Sequence, residues 1–417
     1  MTETLFGLET PLVRELIAGV TPGGDVQVSS AVDDVEDLGS SPEVAERFAR
    51  AAWSCLAEPG DSEAGGLLSS IGGSAALTAL IERWPAERAG RSAKAWARGL
   101  ERWTPRLTST DVVRALRTAA RTGTRLLIPT DEHWPQGLIA LGDHSPSALW
   151  LRGDPTSLRS LDKSIAIVGA RASTGYGDHV AMESSAGLVD RGFSIVSGAA
   201  YGIDGVAHRA AIGSGGTTIA FLAGGADRFY PSGHHNLLER VAASGAVVSE
   251  LPCGSAPTRW RFLQRNRLIA AASSAVVVIE AGLRSGSLNT AGHAAALGRP
   301  VGAVPGPVTS PASAGCHRLL REYDAVCVSN AEQMAELTGW LGSDEGRAGP
   351  SARESPEETR VTDALSSRRP RTADEVAKRS GLSRSETLSA LGSLGAVGRV
   401  EENAEGWILR RTSTDNE

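Results

Sequence analysis

Ile165-Ala-Ile-Val-Gly-Ala-Arg171 is the stretch on which the reading of this chain turns. Four consecutive apolar residues run into Gly169, and an arginine follows two places on. A run of that kind reads as a strand buried on both faces that ends in a tight turn. Similar short runs recur at residues 194–198, 217–224, 246–250, 275–280, 301–304 and 325–328. Between them, amphipathic patterns at 178–191, 204–212, 235–243, 288–297 and 317–322 predict helices. Such alternation predicts an α/β fold, a parallel sheet with helices on both faces. In that architecture a ligand binds beyond the carboxyl ends of the strands.

Outward from this body the pattern changes three times. Residues 1–121 carry helical spacing, with Gly72-Gly73 breaking one long stretch, and predict a helical accessory domain. Residues 122–154 hold a short strand-like run, Arg125-Leu-Leu-Ile, and two tryptophans beside prolines. They read as an extended connector that belongs to a domain spanning 122–338. Residues 339–356 have no periodic apolar residue and predict a flexible linker. Residues 357–411 show three short helical patterns, the second capped by Thr372 and ending at Gly381, then a hairpin. That order predicts a winged helix, with Arg384 the only basic residue in its third helix. Contact with a protein or a second copy fits that helix as well as DNA does.

Composition narrows the class. The chain has 417 residues, 41% hydrophobic and 22% charged, and a formal net charge of −6. These are globular values. No apolar run predicts a membrane span and the acidic start is unlike a signal peptide, so a cytoplasmic protein is expected. Cys55, Cys253, Cys316 and Cys327 lack the paired spacing of a zinc site or a disulfide framework, so no metal is expected. An acidic total disfavours coating nucleic acid with the whole surface but leaves room for a local basic groove. Lysine occurs only at 94, 163 and 378, and arginine supplies the remaining positive charge. A G+C-rich genome would produce the same bias.

Four turns carry candidate chemistry. Gly169, Gly175 and Gly177 flank the first strand-to-helix turn. Their spacing is not G-x-G-x-x-G, so no dinucleotide cofactor is expected. Glycines and free N–H groups ahead of a helix suit a phosphate, and Arg171 adds a charged fork. In Ser197-Gly-Ala-Ala-Tyr-Gly-Ile-Asp204, Asp204 and His208 share a helix face. They read as a helix cap and a loop-holding histidine rather than an acid–base pair. Arg259, Arg261, Arg265 and Arg267 fall within nine residues, with Trp260 and Phe262 interleaved and no acid among them. Aromatic faces for bases beside arginines for phosphates are what single-strand binding uses. A buried Phe262 with solvated arginines is the structural alternative. Ser285-Gly-Ser287 follows Glu280 at a helix start and offers a further anion cradle.

Taken together, these segments resemble the DNA-processing protein A (DprA, or Smf) family. The likeness rests on Val168-Gly-Ala-Arg171 with Tyr176-Gly177, and on Ser197-Gly-Ala-Ala-Tyr-Gly-Ile-Asp204 with Ala207-His208. It continues through Gly224-Gly225 with Tyr230-Pro231, Ser249-Glu250, Phe262-Leu-Gln-Arg-Asn-Arg267, Glu280-Ala with Ser285-Gly-Ser, and Val304-Pro-Gly306. The resemblance implies an extended Rossmann-like domain with a mostly parallel sheet, in a non-enzymatic protein that binds single-stranded DNA, dimerises through that domain, protects incoming strands and helps load RecA. Carried over by position, the DNA contacts fall on Gly169, Arg171, Phe262, Arg265, Asn266, Arg267, Ser285, Gly286 and Ser287. Leu263-Gln264, Ala170 and Tyr323-Asp324 depart from the family pattern. The rival reading is an enzyme, a nucleoside-phosphate hydrolase on a related sheet. That group's P-G-G-x-G-T-x-x-E motif is absent here.

Overall fold

The computed structural model describes residues 4–22, 41–340, 355–396, 398–403 and 405–410. The chain forms two compact units, one up to Gly342 and one from Ser343. The expected linker lies, for residues 341–354, outside the described residues.

In chain order the first unit begins with a small hairpin, β1 (Thr4–Leu5) and β2 (Leu8–Glu9). Helices α1 (Thr10–Ala18), α2 (Pro42–Leu56), α3 (Ser62–Ile81), α4 (Ala93–Trp103) and α5 (Ser109–Thr122) follow. Strands β3 (Arg125–Leu127), β4 (Leu149–Gly153) and β5 (Ser164–Val168) come next, then α6 (Gly175–Asp190), β6 (Ser194–Ser197), α7 (Ile203–Gly213) and β7 (Thr218–Phe221). The series continues through α8 (His235–Ser244), β8 (Ala246–Ser249), α9 (Arg259–Ala272), β9 (Ala275–Val278), α10 (Gly286–Ala296) and β10 (Val301–Ala303). It closes with α11 (Ala314–Glu322), β11 (Val326–Cys327) and α12 (Ala331–Glu336).

Nine strands form one sheet in the order β11-β10-β9-β5-β6-β7-β8-β4-β3. Every pair from β11 to β8 is parallel, whereas β8–β4 and β4–β3 are antiparallel. The expected connector is therefore part of the sheet, extending its edge by two strands. Within β5, Ala166 and Val168 join the core under α9 and α10, while Ile165 and Ile167 join the core under α6 and α7. This two-sided burial is why the run is apolar without alternation. Chain order reverses at β5, whose neighbours are β6 on one side and β9 on the other. The turns that end these three strands bound the crevice where such sheets bind ligands.

The helical N-terminal segment and the sheet share a core. Phe48, Trp53, Leu67, Leu77 and Leu116 pack with Leu126 and Trp150, and the Trp150 Nε1 donates to Ser54 Oγ at 3.2 Å. By length and composition α3 is apolar enough to cross a membrane, which the sequence reading passed over. Gly72 breaks it with φ 79° and ψ 167°, and Leu67, Leu77 and Leu80 are buried in this core. It is a core helix.

The second unit is a winged helix with its own core of Val361, Val376, Leu391 and Leu394. It comprises α13 (Pro356–Ala364), α14 (Ala373–Ser380), α15 (Arg384–Ala396) and a hairpin of β12 (Val400–Asn403) and β13 (Gly406–Leu409). Thr372 and Glu375 form a reciprocal capping box, and Gly381 ends α14 at φ 68°, as the sequence led one to expect.

His208 sits on α7, fully buried. Thr218 Oγ1 donates to the Ile195 carbonyl at 2.7 Å, so it accepts the His208 Nδ1 proton at 2.7 Å. Nε2 then carries a lone pair and has no partner among the described residues. Burial first, and the charges of His234 and Arg265 next, push the imidazole pKa down from 6.5 to about 3. Between those values the unfolded chain binds a proton that the folded chain does not, so stability falls as pH drops from 6.5 toward 3. In urea unfolding against pH, the advantage of the parent over His208→Asn is expected to shrink across that window. The slope should be at most about 1.4 kcal/mol per pH unit. Parallel curves would contradict the assignment.

Candidate nucleic-acid interface

The arginine cluster, which the sequence reading left without secondary structure, opens α9. Thr258 caps it, its hydroxyl accepting from Arg261 N at 3.3 Å. Helical geometry then separates the four arginines. Arg259 is exposed and has no ion-pair partner among the described residues. Arg261 forks onto Glu58 at 2.7 and 3.0 Å, tying α9 to the loop after α2. Arg265 is buried; Nη1 donates to the carbonyls of Gly198 (2.7 Å) and Phe221 (2.5 Å), and Nε donates to Asn266 Oδ1. Arg267 forms a buried two-pronged ion pair with Glu250, both contacts 2.6 Å, and Nε donates to the His144 carbonyl.

A cleft of about 970 Å³ opens at the switch point. Its walls are the turn after β5 (Gly169, Ala170, Arg171), the inner face of α9 (Arg259, Phe262, Leu263, Arg265, Asn266), and the start of α10 (Arg284 to Ser287). Eight of the nine expected contact residues therefore meet in one place: Gly169, Arg171, Phe262, Arg265, Asn266, Ser285, Gly286 and Ser287. Arg267 does not. It pairs with Glu250 and does not line the cleft.

Each lining residue is held by identifiable contacts. The Arg171 guanidinium lies 4.9 Å from the Phe262 ring centre, with Arg265 at 5.9 Å and the Tyr230 ring centre at 5.7 Å. Arg171, Arg259 and Arg284 are exposed, and none has a carboxylate partner among the described residues. Arg265 keeps Nη2 without a hydrogen-bond partner among the described residues. Burial lowers its pKa to about 10, opposed by Asp204 and reinforced by Arg171, so it stays charged at neutral pH. The Asp204 carboxyl is pushed up by burial and pulled back by Arg265 and by the N–H groups of Ala200 and Gly198. Those N–H groups show that Asp204 braces the turn after β6 rather than capping α7, whose cap is Gly202. Asn266 Nδ2 donates to the Gly286 carbonyl and to Asn289, locking α9 to α10. Ser285 caps α10, its hydroxyl accepting from Ser287 N at 3.3 Å.

One expected anion station is already filled. Thr174 donates to Glu280 through its N–H (2.9 Å) and its hydroxyl (2.6 Å), and this carboxylate occupies the start of α6. A Cβ on Gly177 would lie 2.2 Å from Glu280 Oε2, so glycine there serves the protein's own carboxylate. Gly169 is likewise a packing glycine, since a Cβ would meet Ile203 at 2.5 Å. The residues missed by sequence reasoning are Arg284, Tyr230, Thr290 and, as a site residue, Arg259. Arg284 precedes the Ser285 cap much as Arg171 follows β5, a parallel visible in the sequence.

Fold and site together define a doubly wound sheet protein with an arginine-rimmed, aromatic-lined cleft at its switch point. A family model described as DNA recombination-mediator protein A matches residues 125–339, and one described as the DprA winged helix domain matches residues 345–406. A Mycobacterium tuberculosis relative carrying the DNA processing protein DprA description is 47% identical over 305 residues, covering 70% of this chain and 78% of that one. Protein Smf of Escherichia coli (strain K12) is 42% identical over 212 residues, 50% of this chain and 56% of its own. The X-ray structure of DNA processing protein A from Streptococcus pneumoniae superposes with a TM-score of 0.56 at 28% identity, covering 70% of this chain and 97% of that one. The chain belongs to the DprA family.

The separation of the arginines has a direct consequence. Arg267→Ala leaves Glu250 buried without a partner and is expected to cost about 3–5 kcal/mol in urea unfolding. Arg171→Ala, at an exposed site, is expected to stay within about 0.5 kcal/mol of the parent. Equal stability of the two variants would contradict the partition.

Proposed function

We propose that the chain binds single-stranded DNA in the switch-point cleft and hands it to RecA, as a homodimer acting in DNA uptake or recombination inside the cell. The observation that carries this reading is the rim itself. Three exposed guanidiniums without carboxylate partners, Arg171, Arg259 and Arg284, surround an opening lined by Phe262 and Tyr230. A single nucleotide needs one phosphate site, whereas this cleft spreads its cations over three separate elements. Arg265 Nη2 and the start of α10 at Ser285, Gly286 and Ser287 add donors within the cleft. Arginines for the backbone and aromatic faces for bases tolerate any sequence.

DNA binding is assigned to residues 122–338, with residues 1–121 as an accessory helical part. The winged helix contributes little to it. Arg384 pairs with Asp374 at 3.1 Å, and the hairpin carries Glu401, Glu402 and Glu405. Hydrolysis of a nucleoside phosphate is the weaker reading. Counting from Gly286-Ser287, the position of that motif's final glutamate is Thr290, a hydroxyl on the cleft wall. The reading therefore assigns no catalytic group.

Titration of fluorescent single- and double-stranded oligonucleotides over a salt series tests the proposal. Single strands should bind more tightly, with a steep salt slope. Arg171→Ala and Arg284→Ala should each weaken binding and flatten that slope by about one ion. Equal affinity for both forms, or no loss in either variant, would overturn it.

A further inference from the structure

Trp260 is not used by the cleft. It is 56% exposed, lies in the first turn of α9, and makes no ring contact or hydrogen bond with any described residue. Leu263, three residues on and therefore its neighbour on the helix surface, is 37% exposed and lines the cleft. The two side chains form one apolar strip that crosses the rim, Leu263 inside and Trp260 outside. Tryptophan presents the largest flat face of any side chain, and leaving it in water forgoes substantial burial.

The charge beside this strip is positive. Arg259, adjacent in sequence, has no carboxylate partner among the described residues. On the other side Arg261 reaches Glu58 at 2.7 Å, and Arg106 reaches the same Oε1 at 2.9 Å. Two guanidiniums share one carboxylate, and Arg106 remains 44% exposed. A flat apolar face continuous with the cleft, between an unpaired arginine and a seam with one excess positive charge, matches a nucleotide and does not match a neutral apolar partner.

Resting on the assignment of single-stranded DNA to the cleft, we infer that Trp260 is a second stacking platform outside it. It receives a base of the strand as the strand leaves over the first turn of α9 toward Arg106. The binding track is thereby longer than the cleft, and its extension runs along the junction with the helical N-terminal segment.

The test compares oligothymidylates of about 6 and about 20 nucleotides, the shorter one confined to the cleft. Trp260→Ala should weaken the longer strand about ten-fold or more and leave the shorter within about two-fold, because a stacked base contributes through the aromatic face alone. Trp260→Phe should restore most of the loss, and the salt slope should be unchanged in both variants. Equal losses on both lengths, no loss on either, or a changed sedimentation coefficient of the free protein would overturn the inference. Arg171→Ala runs alongside as the control. If it weakens neither length, the cleft assignment has failed; if it weakens both while Trp260→Ala weakens neither, only the extension has failed.

Discussion

The buried pair between Arg267 and Glu250 sets the position of α9, and the cleft depends on where that helix lies. Glu250 stands just beyond β8, and the Arg267 guanidinium also reaches the carbonyl of His144 in the segment leading to β4. One side chain thus fastens the helix to the antiparallel edge of the sheet. On the opposite face Arg265 is fastened to the carbonyls that end β6 and β7. Between these anchors the helix has little freedom to roll. Phe262 and Arg259 are held toward the turn after β5, and Asn266 is held against the start of α10. A charge pair of this sort adds little net stability against an apolar substitute, but removing one partner strands the other in a medium that cannot solvate it.

This arrangement divides a run of like residues into two jobs. Arg261 and Arg267 are structural, satisfied by Glu58 and Glu250. Arg259 and Arg265 serve the cleft, one at its rim and one at its floor. The carboxylates that neutralise the structural pair lie outside the run, Glu58 more than two hundred residues before its partner and Glu250 on the segment that follows β8. A segment free of acids can therefore hold ordinary ion pairs, and local charge density alone does not report free charge. The same lesson applies to the turn ahead of α6. Its glycines and N–H groups looked open to a phosphate, yet Glu280 arrives from the end of β9 and occupies the place.

How far the sequence could be read follows from these contacts. The strands were legible because residues such as Ile165 to Val168 are buried on both sides and have no reason to be polar. The winged helix was legible because its caps, Thr372 and Gly381, act through the local backbone. Gly169, Arg171 and Ser285 to Ser287 meet at one cleft because they follow the ends of β5 and β9, and strand ends converge in a doubly wound sheet, whereas Phe262, Arg265 and Asn266 join them from one face of α9. Arg267 could not be placed, since only the helical phase of α9 separates it from Arg265. The role of Asp204 was also out of reach, because its partners are backbone N–H groups that a residue pattern does not display. The run at Arg125 to Leu127 was legible as a short strand, but β4 was not, because five residues that follow Pro146 and end at Gly153 carry too short a period to declare one.

The central claim is that DNA lies against the inner face of α9 and the turns at the switch point. Photo-crosslinking of single-stranded DNA carrying halogenated pyrimidines, followed by mass spectrometry of the adducted peptides, tests it most directly. The account predicts adducts at Tyr230, in the segment from Thr258 to Leu263, and near Arg284 to Ser287. Adducts confined to the winged helix or to the outer face of α5, with these segments unmodified, would contradict it.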